Sequence, residues 1–130
     1  MILPCIVLAM LAVAGCASSG QASEGGSGRD SANVITAEEV AAYTGHSLSE
    51  LIITEVAGVT RSRDGSLNIR GSTSFQGGTE PLYVLDGVPL SGEPVVNIKD
   101  IEEIEVLKGS DASMYGTRGA NGVILITTKT

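Results

Sequence analysis

The 130-residue sequence has no tryptophan and one phenylalanine, and aromatics make up 3% of it. Side chains that could stack on bases or sugar rings are therefore scarce. One histidine and two cysteines leave little from which to build a zinc or thiolate site. Positive charge is also short: 8 Lys and Arg stand against 15 Asp and Glu, for a net charge of −7. Phosphate binding needs a basic face, so nucleic acid is not an expected partner. The length leaves no room for a second domain beside one of the usual ~100–150 residues. It also excludes a membrane-spanning barrel within the chain, since ~8 strands of ~9–11 residues plus turns would exceed what remains after a leader and a loose tail. Glycine is what the chain has in plenty, 17 residues, about twice the usual ~7%. The fold must turn often and tightly.

Residues Ile2–Gly15 are apolar or small throughout. The run is shorter than the ~20 residues of a transmembrane helix and suits a signal-peptide core. It ends Val13-Ala-Gly-Cys16, which resembles the lipobox of bacterial lipoproteins. A thiol is the side-chain nucleophile that would take a diacylglyceryl group, and small residues before it admit the peptidase. Residues 1–15 therefore read as a lipoprotein signal peptide and Cys16 as the lipidated new N-terminus. Acyl chains there would anchor the protein in the membrane at ~0.8 kcal/mol per buried CH₂. A plain secretory signal or a buried core helix would share the apolar run. No Lys or Arg opens the segment, so either the start lies upstream or the α-amino group supplies the charge. With Cys5 lost and Cys16 acylated, no disulfide pair remains. Residues 17–32 are Ser, Gly, Gln, Ala and charges, a flexible tether spanning roughly 20–25 Å.

The folded domain is expected over residues 33–130. Thr36-Ala-Glu-Glu39 and Ser47-Leu-Ser-Glu50 are capping-box patterns. The first predicts a short helix to about Tyr43, broken by Gly45. The second predicts a helix to about Val56, with Leu48, Leu51, Ile52 and Val56 on one face and Gly58 as its stop. Beyond it the period becomes β. Ser66–Arg70 alternates, and Ser72–Glu80 is a polar loop. Asp86-Gly87 between Leu82–Leu85 and Val88–Leu90 is a type I′ hairpin signal, with Pro89 confining the second arm to an edge. Asn97 caps a one-turn helix through Asp100–Ile101. Ile104–Lys108 is a strand, Ser110–Met114 a short helix ended by Gly116, and Asn121-Gly122 a turn. Val123–Thr128 is an apolar, β-branched run of the kind buried on both faces. The expected class is α+β, a small mixed β-sheet of four or five strands with short helices.

Candidate chemistry is sparse. His46 lies in a turn with no Gly-x-Ser-x-Gly element to serve. The glycine-rich stretch Gly109–Gly122 lacks the Gly-Lys-Ser/Thr of a phosphate loop, and its glycines fit turns. Glu102, Glu103 and Glu105, interleaved with Ile101 and Ile104, read as a solvated strand face without a calcium-loop pattern. Asp86 reads as a turn residue. Tyr83 and Tyr115 read as core. No catalytic residue, metal site or cofactor is expected, so the chain does not read as an enzyme.

Four ordered segments carry more information: Pro81-Leu-Tyr-Val-Leu-Asp-Gly-Val-Pro-Leu90, Ile101-Glu-Glu-Ile-Glu-Val-Leu-Lys-Gly109, Ala112-Ser-Met-Tyr-Gly116 and Gly119-Ala-Asn-Gly-Val-Ile-Leu-Ile-Thr-Thr-Lys129. Together with Asn68-Ile-Arg-Gly71 they closely resemble the plug domain of TonB-dependent outer-membrane receptors, most of all the SusC-like branch. The resemblance covers about Val34–Lys129. It implies a plug-like fold, one that in such receptors sits inside a β-barrel and blocks the pore. It also implies substrate contacts on outer loops, here Ser72–Glu80 and Ser91–Asn97. Family plugs carry one Arg in the Ile-Arg-Gly segment and another before the Gly that follows the Glu-rich strand, and these pair with carboxylates on the barrel wall. The matching positions are Arg70 and Lys108, the expected partner-binding residues, with solvated strand-end charges as the alternative reading. Lys108 departs from the pattern, because an ammonium cannot form the bidentate fork of a guanidinium.

The sequence stops at Thr130, where a receptor of this kind would enter its first barrel strand, so the expectation is a plug without a barrel in this chain. Between Ala17 and Ala32 there is no clear TonB box, the extended apolar run that would pair with TonB, so the sequence leaves TonB open as a partner. The expected function is thus a non-enzymatic, lipid-anchored, free-standing plug-like module of the bacterial outer envelope. It would be held at the outer membrane by its N-terminal lipid and would serve outer-membrane uptake through a β-barrel protein. The alternative is the plug fragment of a split or truncated TonB-dependent transporter.

Overall fold

The computed structural model describes residues 33–43, 45, 47–71 and 80–130. Cys16, the tether 17–32, His46 and all of the Ser72–Glu80 loop except Glu80 lie outside them.

Both capping boxes form. Thr36 N donates to Glu39 Oε2 at 2.7 Å and opens α1, Ala37–Ala42. Glu50 N donates to Ser47 Oγ and Ser47 N to Glu50 Oε2, each at 3.3 Å, opening α2, Leu48–Glu55. Each box satisfies N–H groups that the first helical turn leaves without a partner. The apolar stripe of α2 faces inward as its spacing requires: Leu48, Leu51, Ile52 and Val56 are all buried. Gly58, at φ +82, turns the chain after the helix.

Among the described residues there are seven strands: β1 Val34–Ile35, β2 Val59–Arg61, β3 Leu67–Ile69, β4 Leu82–Leu85, β5 Val88–Leu90, β6 Ile101–Leu107 and β7 Val123–Thr128. Five make a mixed sheet in the order β1-β6-β7-β4-β5, and β2 and β3 form a separate two-stranded sheet. The class and the five-stranded sheet agree with expectation, and the last two strands are antiparallel neighbours. Asp86 (φ +47) and Gly87 (φ +83) take the positive φ of a type I′ turn. β5 is the edge strand that Pro89 demands.

Several boundaries differ from the sequence reading. β1 and β2 have no local signature. β1 is two residues long and exists because it pairs with Glu105 and Ile104 of β6. β2 is Val-Thr-Arg and buries only Val59. The strand expected from Ile104 to Lys108 begins three residues earlier at Ile101, contains a bulge at Glu102, and stops before Lys108. The helix expected to end at Gly116 is a 3-10 segment, Asp111–Gly119, that kinks at Gly116 (φ 62, ψ −145) and continues. Asn97 does cap the one-turn 3-10 helix Ile98–Asp100, its side chain accepting from Lys99 N at 3.1 Å.

The sheet has two unequal faces. Ile104, Val106, Tyr83, Ile124 and Ile126 join both helices and the β2–β3 sheet in the main core. Leu82, Val84 and Val123 form a second, smaller cluster with Ala112 of the 3-10 segment. β7 contributes to both, so it is buried on each side, as its unbroken apolar run predicts. At ~1.5–3 kcal/mol per fully buried aliphatic side chain, these alternating contacts dominate what holds β7 central.

Candidate functional site

Arg70 and Lys108 follow strands of different sheets, yet the fold brings them to one place, the Ala57–Gly58 turn that ends α2. Arg70 N donates to the Gly58 carbonyl at 2.8 Å. Lys108 Nζ donates to the Ala57 carbonyl at 2.6 Å. Their surroundings differ. Arg70 is exposed. Lys108 is half-buried, and that burial holds its ammonium below the usual lysine range. A carbonyl at the C-terminal end of a helix is a favourable partner for a cation. Lys108 thus ties the end of β6 to the end of α2, a role that Arg70 does not share. A residue before Gly109 that reads as a barrel-facing charge also has a structural duty inside the domain.

The β2–β3 hairpin beside this turn is basic in an otherwise acidic chain. Arg61, Arg63 and Arg70 face a single carboxylate, Asp64, between them in sequence. Asp64 is engaged locally, accepting from Ser66 N at 3.2 Å and Ser66 Oγ at 2.8 Å, which holds its carboxyl below the usual range. Arg61 reaches back to the helix, Nη2 donating to buried Ser49 Oγ at 2.9 Å. The sequence reading did not identify that contact, because β2 itself was not legible.

Next to Arg70 and Lys108 opens a cleft of about 380 Å³ lined by Gly71, Gly109, Ser113, Gly116, Thr117 and Gly119. Gly119 is there for space: a Cβ would lie 2.2 Å from the Ala112 carbonyl oxygen. Ser113 and Thr117 give the cleft hydroxyls, and the glycines give it accessible backbone. The arrangement suits contact with another polar surface. It holds no assembled nucleophile and base.

The remaining candidates fall elsewhere. Asp86, at the far end of the sheet, is more than a turn residue: Oδ1 accepts from Thr128 N and Oδ2 from Thr128 Oγ1, both at 2.8 Å. Its own N–H donates to Ile126 O at 2.9 Å. One side chain therefore clamps the end of β7 to the β4–β5 turn. Of the acidic run, Glu102 is exposed at the bulge and Glu103 is half-buried, but Glu105 is buried. The expectation of a wholly solvated face is corrected there, because β1 and β7 flank Glu105 on both sides. Tyr83 is 1% exposed. Burial, reinforced by the nearby Glu93 and Glu80 carboxylates, drives its hydroxyl well above the usual range. Tyr115 is half-buried against the smaller cluster. In the Ser91–Asn97 loop Val95 is fully exposed. Among the described residues no three His, Cys, Asp or Glu side chains converge to hold a metal ion.

Comparison with known proteins agrees with this geometry. The family model described as TonB-dependent Receptor Plug Domain matches residues 27–123. The chain is 46% identical over 67 residues to TonB-dependent receptor P39 of Formosa agariphila, an alignment covering 51% of this chain and 6% of that protein. It is 37% identical over 97 residues to TonB-dependent receptor SusC of Bacteroides thetaiotaomicron, covering 62% and 10%. Among solved structures, the siderophore receptor PirA of Pseudomonas aeruginosa superposes with a TM-score of 0.61 at 38% identity, over 75% of this chain and 18% of that one. The chain spans a tenth or less of the length of these two curated relatives.

Proposed function

The chain belongs to the plug-domain family of TonB-dependent receptors, and from that premise we propose that it is a lipid-anchored plug module of the bacterial outer envelope that docks against a β-barrel. The family is one of outer-membrane transporters, not enzymes, so the role is transport-related and the domain's work is binding. Lipid on Cys16 would hold the domain at the membrane, and the tether would set its reach. Anchoring raises the effective concentration of a docking partner, so a modest interface suffices. Docking would use the end of the fold where Arg70 is exposed and the glycine-lined cleft is open, with barrel carboxylates opposite. Arg70 supplies the bidentate fork, and Lys108 stiffens the Ala57–Gly58 turn to which the Arg70 backbone is bonded.

The observation that carries this reading is the family match across residues 27–123, supported by a sheet that superposes on receptor plugs. A second reading, the plug part of a split or truncated transporter, is favoured by the size of the relatives, all of them far longer receptors.

Photo-crosslinking in intact cells tests both. A crosslinker at Arg63, exposed on the basic hairpin, is expected to capture an outer-membrane β-barrel protein, and Arg70→Glu is expected to reduce that capture. Capture of no outer-membrane protein would refute docking. Captured barrels that lack a plug of their own would favour the split transporter, and complete receptors would favour an accessory module. For the anchor, Cys16→Ser is expected to move the protein out of the membrane fraction, and retention by the same route would refute lipidation.

A further inference from the structure

At the end of the sheet opposite Arg70 and Lys108 lies an open groove of about 580 Å³, between the end of α1 and the segment leading into β6. Its size falls within the ~300–1,000 Å³ of small-ligand sites. The floor is apolar: Tyr43, Val96 and Ile98 are half-buried and pack on the main core. The rim carries Asn97, Lys99 and Lys129.

The described rim side chains are rich in hydrogen-bond donors. The Oδ1 of Asn97 accepts from Lys99 N at 3.1 Å, and its Nδ2 can donate. The two ammonium groups can only donate. Lys129 is held over the groove twice: its backbone N–H donates to Asp100 O and its Nζ to Lys99 O, each at 2.8 Å. Among the described lining residues there is no Asp or Glu. In a chain of net charge −7, two lysines over an apolar floor make this rim locally basic, with Asp100 the neighbouring acidic residue outside the lining. A cation entering this groove would meet like charge from Lys99 and Lys129. A neutral apolar molecule would leave the donors unmatched. A carboxylate carried on an apolar body matches both parts of the lining.

We infer that this groove binds a small, free amphipathic carboxylate. Its apolar body lies on Tyr43, Val96 and Ile98, and its carboxylate sits among Asn97, Lys99 and Lys129. This site is separate from the docking end and does not rest on the plug reading.

The test is titration of the full chain with 3-phenylpropionate, followed by amide chemical shifts. The neutral 3-phenylpropan-1-ol and the cationic 3-phenylpropylamine serve as matched probes. Perturbations are expected at 41–43, 96–99 and 129, with the carboxylate binding more tightly than either control and more weakly as salt is added. Lys99 is exposed, so Lys99→Gln should fold normally and bind about fivefold more weakly, the effect of losing one charge-assisted contact. No binding would overturn the inference. Equal binding of the alcohol or amine, or shifts confined to other residues, would overturn it too. Because the readout is local, it fails independently of barrel capture.

Discussion

Replacing Asp86 with alanine removes both carboxylate oxygens that hold Thr128 and leaves a less tolerant residue at φ +47. Each lost hydrogen bond is worth about 1 kcal/mol net, somewhat more for a charged acceptor but discounted here because the pair is exposed. Left-handed backbone costs an ordinary residue ~1–2 kcal/mol, a cost that Asp eases through its own short-range hydrogen bonding. Asp86→Ala should therefore destabilise the domain by about 2–3 kcal/mol. That is a large share of the ~5–15 kcal/mol typical of a domain. Asp86→Asn should cost at most ~1 kcal/mol. Its Oδ1 can still accept from Thr128 N, and the Thr128 hydroxyl can rotate to accept from the new amide. Thr128→Val removes only the hydroxyl bond and should cost ~0.5–1.5 kcal/mol. The Ala and Val changes remove a shared interaction, so the double variant should fall short of additivity by at least ~0.5 kcal/mol. Urea denaturation at neutral pH measures all four. Asp86→Ala within ~0.5 kcal/mol of wild type, or full additivity in the cycle, would refute the clamp.

Lys108→Met keeps the aliphatic stem but loses the bond to Ala57 O, and should lower stability by ~0.5–1.5 kcal/mol in the same assay. Gly119→Ala places a methyl 2.2 Å from a backbone carbonyl oxygen and should destabilise by at least ~2 kcal/mol, read as a fall in Tm of several degrees. The buried Tyr83 hydroxyl has its pKa raised in the folded state. Its contribution to stability is thus fully present below the ordinary pKa of about 10 and is lost as pH rises beyond it, because the unfolded chain ionises first. Tyr83→Phe should flatten the decline in unfolding free energy between pH ~10 and ~11.5, and should remove the last step from the absorbance titration at 295 nm.

Much of the fold was legible locally because local chemistry decided it. Ser47 with Glu50 and Thr36 with Glu39 cap their helices through bonds that reach only three residues. Asp86-Gly87 selects a turn through backbone sterics alone. The run Val123–Thr128 announced a strand buried on both faces, which only a central position satisfies. β1 and β2 were illegible for the opposite reason: two- and three-residue strands have no period to read, and the partner of β1 is distant in sequence. The parallel pairing of β4 with β7 is likewise a matter of which apolar faces meet, and no local pattern records it.

The candidate site divides the same way. Family motifs placed Arg70 and Lys108 by their neighbours in sequence, but only the packed chain shows that both converge on Ala57–Gly58. There one cation stays exposed while the other is half-buried against a carbonyl. Glu105 makes the same point in reverse, since an acidic alternation suggests solvent until strands close on either side. Residue order by itself determined the helix starts, the hairpin corner, the central strand and the family. Tertiary structure alone decided the parallel pairing of β4 with β7, the Asp86–Thr128 clamp and the lysine-rimmed groove. Capping and turn preferences act over three or four residues, whereas these last features depend on groups that meet only after the core has formed.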